Sequence, residues 1–284
     1  MPDCTRTAEI EKLKEIARSI RCDIVNMVAE SKSGHPGGSL SATDIVTALY
    51  FSEMHLDPAN PGWPSRDRFI LSKGHCCPVL YSALIRRGFM AECELSTLRK
   101  FGSKLQGHPC MKKAIGLDMT SGSLGNGPSI GLGMGLGAKL DGLDYRVFVM
   151  VGDGELQEGM VWEALMAIPH FKANNVVLIV DKNGLQVDGP VSEIMEVDPV
   201  ADKLRAFRWN VREIDGHDMG QILDALTASR DFGSGPHAII AHTVKGKGVS
   251  FMEGKVEWHG LAPTEEQRAA AILEIIGKGG AQNA

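Results

Sequence analysis

The chain has 284 residues, 43% of them hydrophobic and 23% charged, with a net charge of −5 and a pI near 6.0. That is the composition of a globular protein with room for one large domain or a domain with extensions. It offers no basic stripe for nucleic acid, no polybasic membrane segment and no apolar run of membrane-spanning length, so a cytoplasmic protein with no nucleic-acid and no membrane partner is expected.

Residues 8–31 read as one amphipathic helix, with Leu13, Ile16, Ile20, Ile24 and Met27 on one face. Its charged start lacks the apolar core of a signal peptide. SKSGHPGGS (31–39) reads as a turn, a second helix runs from Ser41 to about Met54, and the Pro-rich DPANPGWPSRDR is loop. A short strand is expected at Arg68–Ser72, then a helix near Val79–Arg87. Residues 92–101 read as helical and 102–128 as irregular.

From residue 130 strands and helices alternate. A small-residue helix, GLGMGLGAKL, precedes strand Arg146–Val151 and helix Glu155–Ala167. Strand Val176–Asp181, a loop at Lys182–Pro190 and helix Val200–Phe207 follow. Strand Asn210–Ile214, helix Met219–Ser229 and strand Ala238–Thr243 complete the series. VFVMV, VVLIV and AIIA are near-continuous apolar runs, as strands buried on both faces require. The expected class is therefore α/β, a parallel sheet flanked by helices on both faces, with one domain over 1–275 and a disordered tail at 276–284.

GLGMGLG (131–137) is not a dinucleotide fingerprint. No strand precedes it, and its glycines recur at every second position, which suits close packing of a helix. The six cysteines, two of them adjacent at Cys76 and Cys77, include no C-x-x-C pair and suggest free thiols rather than a disulfide or zinc framework.

The chemistry starts at GDG (152–154). In a parallel sheet, ligands bind beyond the carboxyl ends of the strands. Gly152 and Gly154 clear side chains from around Asp153, and a helix from about Glu155 would aim its N–H groups and positive dipole end at the same place. An anion beside a carboxylate needs a cation between them. The next strand ends in DKNG, placing Asn183 30 positions after Asp153 at the same sheet edge. Asp153, Asn183 and a carbonyl at Leu185, with diphosphate oxygens and water, would complete the octahedron of Mg²⁺. His35, His75, His108 and His259 all stand in Gly-flanked loop segments of the kind that line sites, where an imidazole can shuttle protons near neutral pH. Their spacing fits no zinc pattern.

GDG followed by Asn resembles the thiamine diphosphate signature. SGHPGGSLSATDI, DRFILSKGH, GHP, GSLGNGPSIGLGMG, GDGELQEGMVWEAL, DKNGLQVDG, TVKGKG and WHG together resemble the N-terminal half of transketolase, in that family's order, over residues 8–262. The resemblance implies that Asp153, Asn183 and the Leu185 carbonyl hold Mg²⁺, and that Gly152, Gly154 and the helix from Glu155 hold the diphosphate of thiamine diphosphate. It places Gly122 and Leu124 beside the aminopyrimidine, and Lys73, Gln186 and Lys245 at the cofactor. It sets His35, His75, His108 and His259 around the reactive carbon and diphosphate. Glu158 and Glu163 match acidic positions near the dimer interface, where they would relay protons.

The same resemblance implies a domain that is not in this sequence. It would carry the aminopyrimidine pocket and the glutamate that protonates that ring. The expectation is the N-terminal subunit of a split transketolase, whose partner is a C-terminal subunit, with two copies of each chain. Its pathway would be central pentose metabolism or specialised sugar catabolism. Two alternatives stay open on the motifs. One is another thiamine diphosphate enzyme half, such as a 2-oxo-acid dehydrogenase α chain or a deoxyxylulose phosphate synthase relative. The other is an inert cofactor-binding scaffold.

Overall fold

A computed structural model describes residues 4–231, 233 and 235–277. Helix α1 (Cys4–Ser31) is followed by α2 (Pro36–Ser41) and α3 (Thr43–Ala48), whose end widens into a looser turn at Leu49–Glu53. Strand β1 (Arg68–Leu71) leads through a tight turn at Gly74–Cys76 into α4 (Cys77–Arg87). An irregular stretch separates it from α5 (Asn126–Leu140). Then come β2 (Val147–Gly152), α6 (Gly159–His170), β3 (Val176–Lys182), the short α7 (Val191–Ile194) and α8 (Val200–Ala206). Strand β4 (Asn210–Asp215), α9 (Met219–Ala228), β5 (His237–His242) and α10 (Glu265–Gly277) complete the order. The expected tail beyond Gly277 lies outside the described residues; Ile276 and Gly277 themselves close α10.

The strands form one sheet in the order β1-β2-β3-β5-β4, and every pairing is parallel. Side chains alternate across it. Phe148, Met150, Val177, Ile179 and Ile239 point into one core, with α1, α3, α4, α9 and α10. Val147, Val149, Val176, Leu178, Val180 and Ile240 point into the other, with α5, α6 and α8. Each such buried side chain contributes roughly 1.5–3 kcal/mol of transfer free energy. The apolar runs in the sequence are this two-sided burial.

Two of the alternate glycines of α5, Gly131 and Gly135, act in packing, while Gly133 and Gly137 face open space. A Cβ at Gly131 would come 2.5 Å from Val149 of β2, and one at Gly135 would come 2.7 Å from Val176 of β3. Helix α5 therefore lies closer to the sheet than a larger residue allows. All six cysteines are free. Among the described residues no helix is long and apolar enough to cross a membrane.

Several boundaries differ from the sequence expectation; α5, for one, opens at Asn126, inside the stretch read as irregular. SGHPGGS is not all turn, because Pro36 opens α2, a position where its missing N–H costs nothing. Gly37 and Gly38 are buried there; a Cβ would come 2.7 Å from the Trp258 carbonyl and 2.6 Å from Cys76 Sγ respectively. Residues 92–101 form only a short 3₁₀ stretch at Glu92–Thr97, with no buried residue to anchor a longer helix. The helix expected from Glu155 begins at Gly159, after a 3₁₀ turn at Gly154–Gln157.

Candidate functional site

The carboxyl ends of β2 and β3 open on a cavity of about 300 Å³. Parallel register aligns Gly152 with Asp181, so Asp153 and Asn183 leave adjacent strands at nearly the same level. The cavity wall includes Gly152, Asp153, Gly154, Glu155 and Glu158 from the β2 end, and Asn183, Leu185 and Gln186 from the β3 end. Lys73 and His75 enter after β1, Leu124 before α5, and Lys245 and His259 from the loops after β5. Gly38, Cys76, Gln157 and Val187 also line it. Two of these carry a faint signal in the sequence: Gly38 lies in the His35 motif and Cys76 follows His75.

Asp153 is buried, and its carboxylate accepts from two backbone N–H groups, Gly154 at 2.9 Å and Gly184 at 2.6 Å. Burial, then the charge of Asp181, push its pKa up to about 6 against those hydrogen bonds. This carboxylate would be relieved by a cation. The Asn183 amide oxygen accepts from Leu185 N–H at 3.1 Å, and the Leu185 carbonyl accepts from Lys245 Nζ at 3.0 Å. Each of these oxygens keeps lone-pair capacity. A carboxylate, an amide oxygen and a main-chain carbonyl are a hard oxygen set that fits Mg²⁺. Among the described residues no group of three or more His, Cys, Asp or Glu is arranged to hold a metal.

Several roles differ from the sequence expectation. Glu155, expected at the cofactor, has a buried carboxylate that acts as a staple. It accepts from Ser72 Oγ, from Gly125 N–H at 2.8 Å and from Gly152 N–H at 3.1 Å, joining three loops of the site. Gly154 lines the cavity and also seats the next loop, since a Cβ there would come 3.1 Å from Gln186 Cβ. Its N–H is held by Asp153. With α6 starting at Gly159, the dipole argument for a helix at Glu155 fails. The Gln186 amide oxygen accepts from Gln157 Nε2 at 2.5 Å. Lys73, 3% exposed, is ion-paired to the fully buried Asp181 and donates to the Gly38 carbonyl at 3.0 Å. Asp181 also accepts from Ser41 at 2.5 Å and from Thr243. Burial would raise its pKa, but Lys73 and these bonds hold it below the usual carboxylate range. Sequence reasoning missed this pairing.

His35, His75 and His259 meet in one cluster. Their ring centroids are 5.1 Å apart for His35 and His75, 5.4 Å for His35 and His259, and 5.1 Å for His75 and His259. His259 Nδ1 is 3.0 Å from Lys245 Nζ. A lysine ammonium can only donate, so Nδ1 accepts. Burial is the first cause of a lowered pKa in all three. Next come His75 for His35, Lys73 for His75 and Lys245 for His259, bringing them to about 4, 4 and 3. All three are neutral at pH 7. His108 packs against Gly122, where a Cβ would come 3.3 Å from its ring; burial, then His75, lower its pKa. His35, His108 and Gly122 thus lie beside the cavity rather than on its wall. Glu158 and Glu163 are both exposed, the second on the outer face of α6.

Residues 12–281 match the family model described as transketolase, thiamine diphosphate binding domain. The chain is 41% identical to an apulose-4-phosphate transketolase subunit of Phocaeicola vulgatus, covering 94% of this chain and 95% of that one. It is 41% identical to the 6-deoxy-6-sulfo-D-fructose transketolase subunit SqwG of a Clostridium strain, covering 94% and 97%. The crystal structure of transketolase from Campylobacter jejuni superposes with a TM-score of 0.88 at 32% identity, over 93% of this chain and 42% of that one.

Proposed function

Because the chain belongs to the transketolase family, through its thiamine diphosphate binding domain, we propose that it is the N-terminal subunit of a split transketolase. A separate C-terminal subunit completes the site, with two copies of each chain in the assembly. Support comes from two relatives of nearly equal length that are named as subunits. Closed two-fold assemblies are also the commonest form of oligomer. The substrates are a ketose donor, with a sugar phosphate as the first to test, and an aldose acceptor.

Bound thiamine diphosphate supplies the carbon nucleophile that takes a two-carbon ketol unit from the ketose for delivery to the aldose. The chain's own residues bind and orient. Asp153, Asn183 and the Leu185 carbonyl hold Mg²⁺. Lys245 and His259 would hold the diphosphate, and Gly122 and Leu124 would hold the ring. Lys73 acts indirectly, by neutralising Asp181 so that Asp153 is the carboxylate left for the cation. His35, His75, His108 and His259 hydrogen-bond sugar hydroxyls and move protons as neutral imidazoles. Glu158 and Glu163 face the partner.

The observation that carries this is Asp153, a buried carboxylate met by backbone N–H groups at a strand end, level with Asn183 on the adjacent strand. Asp153→Ala should abolish Mg²⁺-dependent binding of thiamine diphosphate in the assembled complex, measured by calorimetry. Wild-type affinity in that variant would contradict the metal assignment.

A further inference from the structure

Arg99 reaches two histidine-bearing segments at once. Its Nη1 donates to Ser33 Oγ at 3.0 Å, two residues before His35. Its Nη2 reaches His35 Nδ1 at 3.4 Å and the Gly107 carbonyl, just before His108, at 3.3 Å. The guanidinium lies on the Gly107 backbone, where a Cβ would come 3.0 Å from Cζ. The far side of this loop is held as well. Cys77 Sγ lies 3.2 Å from the Gly107 carbonyl, and the Tyr81 hydroxyl donates toward the carbonyls of Gln106 at 2.9 Å and His108 at 3.2 Å.

Two features of Arg99 work against stability. Its φ is +58°, a left-handed conformation unfavourable for a non-glycine residue. Its buried Nε–H has no hydrogen-bond partner among the described residues, which is unfavourable as well. A residue held under such strain against an imidazole is a candidate for a site role.

An arginine has donors and no acceptor, so His35 Nδ1 must offer its lone pair, and the ring proton sits on Nε2, the nitrogen beside Gly260. We propose that Arg99 is a positioning residue that locks His35 in the Nε2–H tautomer and ties the His35 and His108 segments into one unit. The groups facing His35 are His75, Arg99, His108, Lys245 and His259, all neutral or cationic. Burial, then His75 and then Arg99, depress its pKa to about 4, which supports a ring that stays neutral and in one tautomer. The kinetic consequence rests on the proposed ketol transfer; the tautomer does not.

The test uses the full chain with ¹⁵N-labelled histidine. In the wild type, the His35 ring should show an unprotonated Nδ1 and a protonated Nε2 from pH 6 to 8. In Arg99→Met the two nitrogens should move toward the averaged shifts of a mixed tautomer, and titration should rise toward 6.5. Arg99→Gln, neutral and too short to span both segments, should do the same if Arg99→Met does not fold. In the complex with the C-terminal subunit, Arg99→Met should lower kcat roughly tenfold or more with cofactor affinity retained. The same change in a His35→Ala background should cost less than about twofold, because coupled residues are not additive. Unchanged His35 nitrogen shifts in a folded Arg99 variant would overturn the tautomer lock. Full additivity with His35→Ala would overturn the route through His35. A wild-type complex without ketol transfer would contradict the transferase assignment while the nitrogen shifts still decide the role of Arg99.

Discussion

Buried charges at the two ends of the sheet are handled in opposite ways. At the amino ends of β1 and β2, Arg146 pairs with Glu53 and with Asp67 at 3.1 Å, and Arg230 pairs with the other Glu53 oxygen at 2.7 Å. Asp67 also accepts from Arg146 N–H at 2.8 Å and His55 N–H at 3.0 Å. Burial would raise the pKa of Glu53, but Arg230 and Arg146 hold it below the usual carboxylate range. Two cations meet two anions, and little is left over. At the carboxyl ends, Lys73 satisfies Asp181, while Asp153 is met by backbone N–H groups and its pKa is pushed up to about 6. Three neutral imidazoles and a buried Lys245, its pKa lowered by burial, complete that edge. The residue types are similar at both ends. A closed set makes scaffold, and a set with unmet charge makes a site.

Arg146→Met should do the greatest damage to stability. It leaves Asp67 buried without its cation and Glu53 with Arg230 alone, which costs about 3–5 kcal/mol. The shift in urea midpoint checks this, and a loss under about 1 kcal/mol would break the contrast between the two ends.

Acid should act mainly on the carboxyl end. The folded imidazoles of His35, His75 and His259 refuse protons down to about 4, 4 and 3, whereas unfolded ones accept them near pH 6.5. Their lowered pKa means that the unfolded state binds more protons in this window. The stability these three groups contribute is therefore complete above about pH 6.5 and lost as pH falls toward 4, opposed in part by Asp153, whose folded pKa, raised to about 6, favours the folded state in acid. The largely buried His75 alone accounts for about 2–3 kcal/mol. Urea midpoints at pH 7, 6 and 5 should decline steadily; a flat profile to pH 5 would show that the cluster tolerates charge.

Asp153→Asn should change stability least, by about 1 kcal/mol or less in the absence of Mg²⁺. It should nonetheless weaken thiamine diphosphate binding at least tenfold in the complex. A variant that unfolds would make Asp153 scaffold, like Glu53.

What is legible in the sequence follows from which contacts are local. Buried parallel strands must be apolar runs, so β2, β3 and β5 stand out, and with them the sheet edge where Asp153 and Asn183 emerge. The motifs around His35, His75, His108 and His259 point to one place, and three of these rings share a cluster. The pairings that decide which charges stay open are not legible. Lys73 and Asp181 lie 108 positions apart, Ser72 and Glu155 lie 83 apart, and Arg99 and His35 lie 64 apart. No periodicity links such residues; only the fold brings them together. The starts of α2 and α6 escape sequence reading because glycine reads as turn, yet Gly37 and Gly38 are helical where neighbours leave no room for a Cβ.

The most direct measurement titrates the purified chain against a purified C-terminal transketolase subunit with saturating thiamine diphosphate and Mg²⁺, following ketose cleavage while mass is read in parallel. Activity should be absent with either chain alone and rise in proportion to complex, saturating near one to one. Ketol transfer by this chain alone would contradict the account, because the open edge of the sheet would then be a complete active site rather than half of one.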